Sequence, residues 1–231
     1  MKNYLLVAFQ LIVTIAYSQK HHVNEDFNNS TLPSGWTNNA VSGSQTWNFG
    51  IDGVNNNFQP GIQNIDGTPL AFFDDDVLGS NTTNNTAALT TPRFDNSNTP
   101  FTYLSFNYNL RQVNSFLDSF YVDVYDGSQW QRVHSVWLSD CGDYDICSSF
   151  PSAFIDISAY TDTNCQVRFT YHDGNDWGYY VGLDNVQIWS PYDNDLSVAE
   201  IIAPETGCGL SATDSIKILI INLGHQTQQN F

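Results

Sequence analysis

The chain has 231 residues, a formal net charge of −17, and only 7 Lys and Arg against 24 Asp and Glu. No basic patch is available to neutralise phosphates, which excludes nucleic acid and anionic lipid as partners. Aromatic residues make up 14% of the chain, too many for a disordered polymer, so a packed core is expected.

The N-terminus reads as an export signal. Lys2 supplies a positive charge, and Leu5 to Ala16 is apolar apart from Gln10 and Thr14. Ala16-Tyr17-Ser18 places small residues at the two positions a signal peptidase reads, so residues 1–18 are expected to be removed before Gln19. The run is shorter than the ~20 apolar residues a membrane span needs, and no later segment is apolar enough. The expected product is secreted or at the cell surface, with no membrane insertion.

Export bears on the four cysteines. Cys141 and Cys147 flank a short polar loop, and a disulfide between them is expected in an oxidising compartment. Cys165 stands in a strand pattern and reads as a small buried hydrophobe, while Cys208 lies in a later segment.

The body of the chain alternates with period two. Leu104, Phe106, Tyr108 and Leu110 alternate with Ser105, Asn107, Asn109 and Arg111. Phe120, Val122 and Val124 alternate with Tyr121, Asp123 and Tyr125, and Val167, Phe169 and Tyr171 with Arg168 and Thr170. Such alternation predicts strands with one buried face. Asp126-Gly127 and Asp173-Gly174 supply turns. Short strands without helical periodicity predict an all-β, antiparallel jelly-roll sandwich over residues 19–190. Ser190-Pro191-Tyr192-Asp193-Asn194 reads as a linker. Strand patterns follow at 195–202 and 214–224. Two or three strands cannot form an independent sandwich, so 191–231 is expected to open a second, truncated β-sandwich of a longer protein.

Several segments resemble the MAM-like, cleaved-adhesin or choice-of-anchor J jelly rolls. Asp26-Phe27 followed by Leu32-Pro33-Ser34-Gly35-Trp36 resembles their opening motif. Ala71-Phe72-Phe73-Asp74-Asp75-Asp76 and Ala88-Leu89-Thr90-Thr91-Pro92 resemble their acidic turn and the strand after it. Phe154 to Tyr160 is similar to a "D-L-S-A-Y" segment, and Gly182-Leu183-Asp184-Asn185-Val186 to the closing "G-x-D-D/N-V". Asn28 stands where the family often has Glu. The segment after Asp193 resembles the adhesion-type immunoglobulin-like domains that follow such modules in secreted Bacteroidota surface proteins. Those proteins commonly carry a type IX secretion sorting domain, which is not present here.

Asp184 has the parity of Val186 and Ile188 if no bulge intervenes, which turns its carboxylate toward the core. A buried carboxylate needs hydrogen bonds or a cation. The alternatives are calcium, a hard ion suited to oxygen donors, and backbone N–H groups of the adjacent loop. Resemblance to metal-binding members of the family favours calcium, with Asp26, Asn28, Asp74, Asp75, Asp76 and Asp184 as candidate ligands. For the Asp74–Asp76 triplet alone, a solvated acidic turn is the competing reading.

Catalytic patterns are sparse. H-E-x-x-H, G-x-S-x-G and Walker loops do not occur. His172 and Asp173 are adjacent on a strand and point to opposite faces, so they are expected to be structural. Most of the six Trp residues are expected in the core. Trp177, Tyr179 and Phe58 are the candidate ligand contacts, on loops 52–67 and 174–179. The expected function is non-catalytic adhesion or recognition of an extracellular glycan or protein by a calcium-stabilised module. The opposing reading is an accessory domain of a larger secreted peptidase or glycoside hydrolase.

Overall fold

The computed structural model describes residues 19–51, 67–78, 84–112, 118–137, 150–175, 178–203 and 215–229. The chain forms two compact units, of which the larger spans His21–Ser190. The first unit is built from β1 (Gln19–Glu25), β2 (Thr37–Ser42), β3 (Asn48–Gly50), β4 (Leu70–Asp74), β5 (Thr86–Thr90) and β6 (Tyr103–Arg111). It continues through β7 (Ser119–Tyr125), β8 (Trp130–Val136), β9 (Ser152–Asp156), β10 (Gln166–His172) and β11 (Tyr180–Pro191). Among the described residues the one helical element is a 3₁₀ turn at Asp76–Leu78.

Two antiparallel sheets make a jelly-roll sandwich. One runs β3-β4-β11-β6-β9, with β1 also pairing with β11, and the other runs β2-β5-β10-β7-β8. The alternating residues meet between them. Leu104, Phe106 and Leu110 of β6 and Val181, Leu183, Val186 and Ile188 of β11 are buried. They share one core with Phe120, Val122 and Val124 of β7 and Val167, Phe169 and Tyr171 of β10. Phe106 meets Phe169 edge-on at 5.3 Å, and Phe73 stacks on Tyr171 at 4.7 Å. Full burial of each such side chain contributes ~1.5–3 kcal/mol. Cys165 is a free, buried thiol within this core.

Two expectations are corrected. The Asp74–Asp76 triplet is not a solvated turn, because all three residues are buried. Asp184 does not face the core. It pairs with Asn107, but Gln187 pairs with Ser105, so a bulge intervenes and Asn185 takes φ +51. The bulge restarts the alternation. Val186 and Ile188 point inward, while Asp184 shares the outer face with Tyr180 and Gly182. Tyr180 forms a second, smaller apolar cluster with Leu70, Phe72, Phe150 and Tyr179.

The second unit holds β12 (Leu196–Ala203) and β13 (Lys217–Asn222), paired as a two-stranded sheet. The ribbon exposes Ile202, Ile218 and Leu219.

Candidate functional site

The outer face of the five-stranded sheet gathers charged, polar and aromatic side chains. Strand register places Thr37, Thr90, Arg168, Asp123 and Arg132 in one row across all five strands. Neighbouring strands lie ~4.8 Å apart, so the row is about 19 Å long. It follows from the same alternation that buries Phe169 and Val122: odd and even residues of one strand face opposite ways. A bulge between Val122 and Asp123 keeps Arg132 outside while His134 packs inward against Phe106.

Asp123 organises the row. Its Oδ1 accepts from Arg132 Nε at 2.5 Å, and its Oδ2 from Arg168 Nη2 at 3.0 Å. Each guanidinium also lies over an aromatic ring, Arg132 over Tyr121 at 3.8 Å and Arg168 over Trp130 at 4.2 Å. Asp123 itself is buried, whereas the arginine side chains keep 45% and 30% of their surface, so their charge is presented to solvent. Beside this row runs an open trough of about 750 Å³, lined by Asn39, Thr90, Arg93, Trp130, Gln166 and Arg168 among others.

A second cluster closes one end of the sandwich. Asp75 follows β4, Asp118 precedes β7 and Asp173 follows β10, and all three are buried. Their carboxylates hold the backbone that leads into β11. Asp75 Oδ2 accepts from Gly178 N at 2.7 Å, and Asp118 Oδ2 accepts from Tyr179 N at 3.3 Å. Asp173 Oδ2 accepts both the backbone and side-chain N–H of Asn85, at 2.7 and 3.1 Å. Asp75 Oδ1 and Asp118 Oδ1 are buried with no hydrogen-bond partner. Burial pushes the Asp75 carboxyl up to about 7, the Gly178 bond opposes this, and Asp173, Asp74 and Asp76 add to it. Burial and the Asp75 charge push Asp118 up to about 8.

The six expected calcium ligands do not gather at one place. Asp26 Oδ1 accepts the Asn28 N–H at 3.1 Å within an exposed turn. Asp184 Oδ1 accepts the Asn185 N–H at 2.8 Å, the backbone alternative. Asp74 pairs with Tyr180, four residues along β11 from Asp184, a separation of about 13 Å at ~3.3 Å per residue. Among the described residues, no three His, Cys, Asp or Glu side chains are arranged to hold a metal. The expected donor set therefore does not fit one ion. Asp75 is the one member of that set with a buried carboxylate oxygen that lacks a hydrogen-bond partner, a feature it shares with Asp118.

Tyr179 is a correction as a ligand contact. It is 3% exposed, with the Arg111 guanidinium 5.3 Å from its ring centroid. Trp177, Phe58, Cys141 and Cys147 lie outside the described residues. His172 Nδ1 accepts the Gly174 N–H at 2.7 Å, a structural bond. Sequence reading missed Trp130, Arg132 and Arg93 as candidates. The signal was present in Tyr121, Asp123 and Tyr125, already assigned to the face opposite Phe120, Val122 and Val124.

No protein-family model matches the sequence, and no curated protein does. The fold is shared with the cleaved adhesin domains of Lys-gingipain from Porphyromonas gingivalis W83. The K1 domain is 18% identical with a TM-score of 0.51, over 72% of this chain and 96% of that domain. The K3 domain is 16% identical with a TM-score of 0.53, over 75% and 99%. At these identities the likeness establishes a cleaved-adhesin-like jelly roll.

Proposed function

We propose that this chain is a non-catalytic, secreted or cell-surface recognition module that holds a glycan across the outer face of its five-stranded sheet. The observation that carries this reading is the trough beside Trp130. Its lining combines an aromatic ring, the amides of Asn39 and Gln166, the hydroxyl of Thr90 and two guanidiniums. Sugars offer hydroxyls to such groups and apolar ring faces to an indole. Apart from the β2 edge, the trough lies on a sheet face where backbone groups are paired within the ladder. That favours a ligand read by side chains over a peptide that adds as a strand. The name of the fold neighbours, cleaved adhesin domains, supports a binding role, and the export-like N-terminus supports an extracellular one.

The paired carboxylates Asp75 and Asp118 do not support a hydrolase reading. Each is 1% exposed beneath the Gly178–Tyr179 backbone, out of reach of a substrate. They support instead the calcium part of the reading, moved from the expected donors to this pair. A divalent ion there offsets the burial, and the mutual repulsion added to it, that otherwise favour the protonated pair.

The test is affinity electrophoresis of the purified protein in gels containing polysaccharides, with Trp130→Ala as the control. Retention that disappears in Trp130→Ala, while the protein stays folded at the assay temperature by circular dichroism, is expected. Retention that survives the substitution moves the site off this face.

A further inference from the structure

We infer that the glycan this face takes is acidic, a uronate-bearing chain whose carboxylates meet Arg93, Arg168 and Arg132; this rests on the glycan reading above. The chain has 7 Lys and Arg residues in all, and three of them lie on or beside this one sheet face. Within the row itself, Arg132 and Arg168 against Asp123 leave 2 − 1 = +1, in a chain whose total is −17. One of the two arginines of the row suffices to pair the buried Asp123, which leaves the other and Arg93 without that structural task. Arg132 and Arg168 share a single carboxylate, so one of the two positive charges is uncompensated within the row. Arg93 is exposed, reaches only the Asn164 carbonyl at 3.5 Å, and has no ion-pair partner among the described residues. Asp95, Asp126 and Asp162, in the adjoining loops, accept backbone N–H groups of their own turns and stay charged, so they confine the positive potential to the trough and the row.

The residue type fits the ligand. Guanidinium forks match carboxylates bidentately and stack on aromatic rings at the same time, as Arg168 does on Trp130. Arg93 and Arg168 line the same trough as Asn39, Thr90 and Gln166, so charge and hydroxyl recognition meet in one place. The small positive charge of the row and of Arg93, inside a strongly acidic surface, suits a polymer with one carboxylate per sugar. A densely sulfated chain meets more repulsion from the surrounding carboxylates than this patch offsets. The face is thus matched to uronate rather than to polyanions in general.

The experiment has two stages. Affinity electrophoresis compares polygalacturonate, alginate and hyaluronan with neutral galactan, mannan and xylan, and with heparin and poly-glutamate. Calorimetry then compares tetragalacturonate with its neutral galactose counterpart, using the wild type and Arg93→Gln. Arg93 is exposed, so this variant is expected to keep the wild-type melting temperature. Uronate chains are expected to be retained, with tetragalacturonate at least about ten-fold tighter than the neutral sugar and weakening as NaCl rises. Arg93→Gln is expected to lose about five-fold in tetragalacturonate affinity. Binding of neutral chains alone, lost in Trp130→Ala, overturns the acidic inference and leaves the glycan reading standing. Heparin or poly-glutamate bound as well as uronates overturns the match to uronate. Uronate affinity unchanged in Arg93→Gln overturns the assignment to this trough. Retention by none of the polysaccharides overturns both the inference and the glycan reading.

Discussion

Asp184 lies directly opposite Asn107 across β11 and β6, and that pairing takes its carboxylate off the core face. The next matched pair, Gln187 with Ser105, leaves two residues of β11 facing Phe106 alone. Asn185 absorbs the extra length at φ +51, while its backbone N–H and side-chain amide bond Asp184 at 2.8 and 3.3 Å. A β-branched residue there meets the left-handed penalty of about 1–2 kcal/mol and loses the amide bond. Asn185→Val is therefore expected to destabilise by about 2 kcal/mol, and Asn185→Gly by less than about 1 kcal/mol. Urea unfolding measures both. Equal losses would show that the amide bond matters and the backbone conformation does not.

This bulge also marks the limit of what alternation can tell. The inward residues of β6, β7 and β10 were legible because nothing interrupts their period of two between Leu104 and Leu110, Phe120 and Val124, or Val167 and Tyr171. On β11 one inserted residue reversed the parity of Asp184, and the one local sign of it is Asn185, a residue type that tolerates the left-handed conformation. The burial of Asp74 to Asp76 was hidden for another reason. Three adjacent acids look solvated until the backbone at Gly178 and Tyr179 is seen to bond Asp75 and to accept from it. The outer face of the five-stranded sheet was half legible: Asp123 and Arg168 were placed on the outer faces of two strands, but nothing local says that β7 and β10 are neighbours. That long-range pairing brings their charges together.

Gly178 is a steric requirement of the acidic end. A Cβ added there collides with the Tyr171 hydroxyl and the Asp118 carboxylate, both buried. Neither can withdraw without breaking the Asp118 bond to Tyr179 N or repacking Tyr171 against Phe73. Gly178→Ala is expected to cost about 2–3 kcal/mol by denaturant unfolding, as overpacked cores do. A loss below about 0.5 kcal/mol, within the range of ordinary surface changes, counts against this packing.

The Asp75–Asp118 pair predicts an inverted pH dependence in chelator. Both carboxyls sit above the ordinary carboxylate value, at about 7 and about 8, so the folded protein holds protons that the unfolded chain has released. Stability falls with pH wherever the native state binds more protons. The contribution is full below about pH 4 and is lost as pH rises through about 7 to 8. Asp118→Asn removes one member, and its melting temperature is expected to gain on the wild type by several degrees between pH 5 and pH 8. Parallel melting curves across that range would show that the pair is not titrating there.

Calcium is expected to act through the same two carboxylates, in the opposite sense with pH. Ion binding requires their charged forms, so the stabilising effect of calcium grows as pH rises from 6 to 8. An ion bound only by the native state at about 100 times its Kd adds ~2.7 kcal/mol. Millimolar calcium is therefore expected to raise the melting temperature by several degrees at pH 8, and by less at pH 6. Asp75→Asn and Asp118→Asn are each expected to remove that shift. Asp184→Asn and Asp26→Asn are expected to keep it, since Asp184 bonds Asn185 and Asp26 bonds Asn28 at the expected sites. A shift lost in Asp184→Asn but kept in Asp118→Asn would return the ion to the closing strand. Identical melting curves with calcium and with chelator would remove calcium from the account.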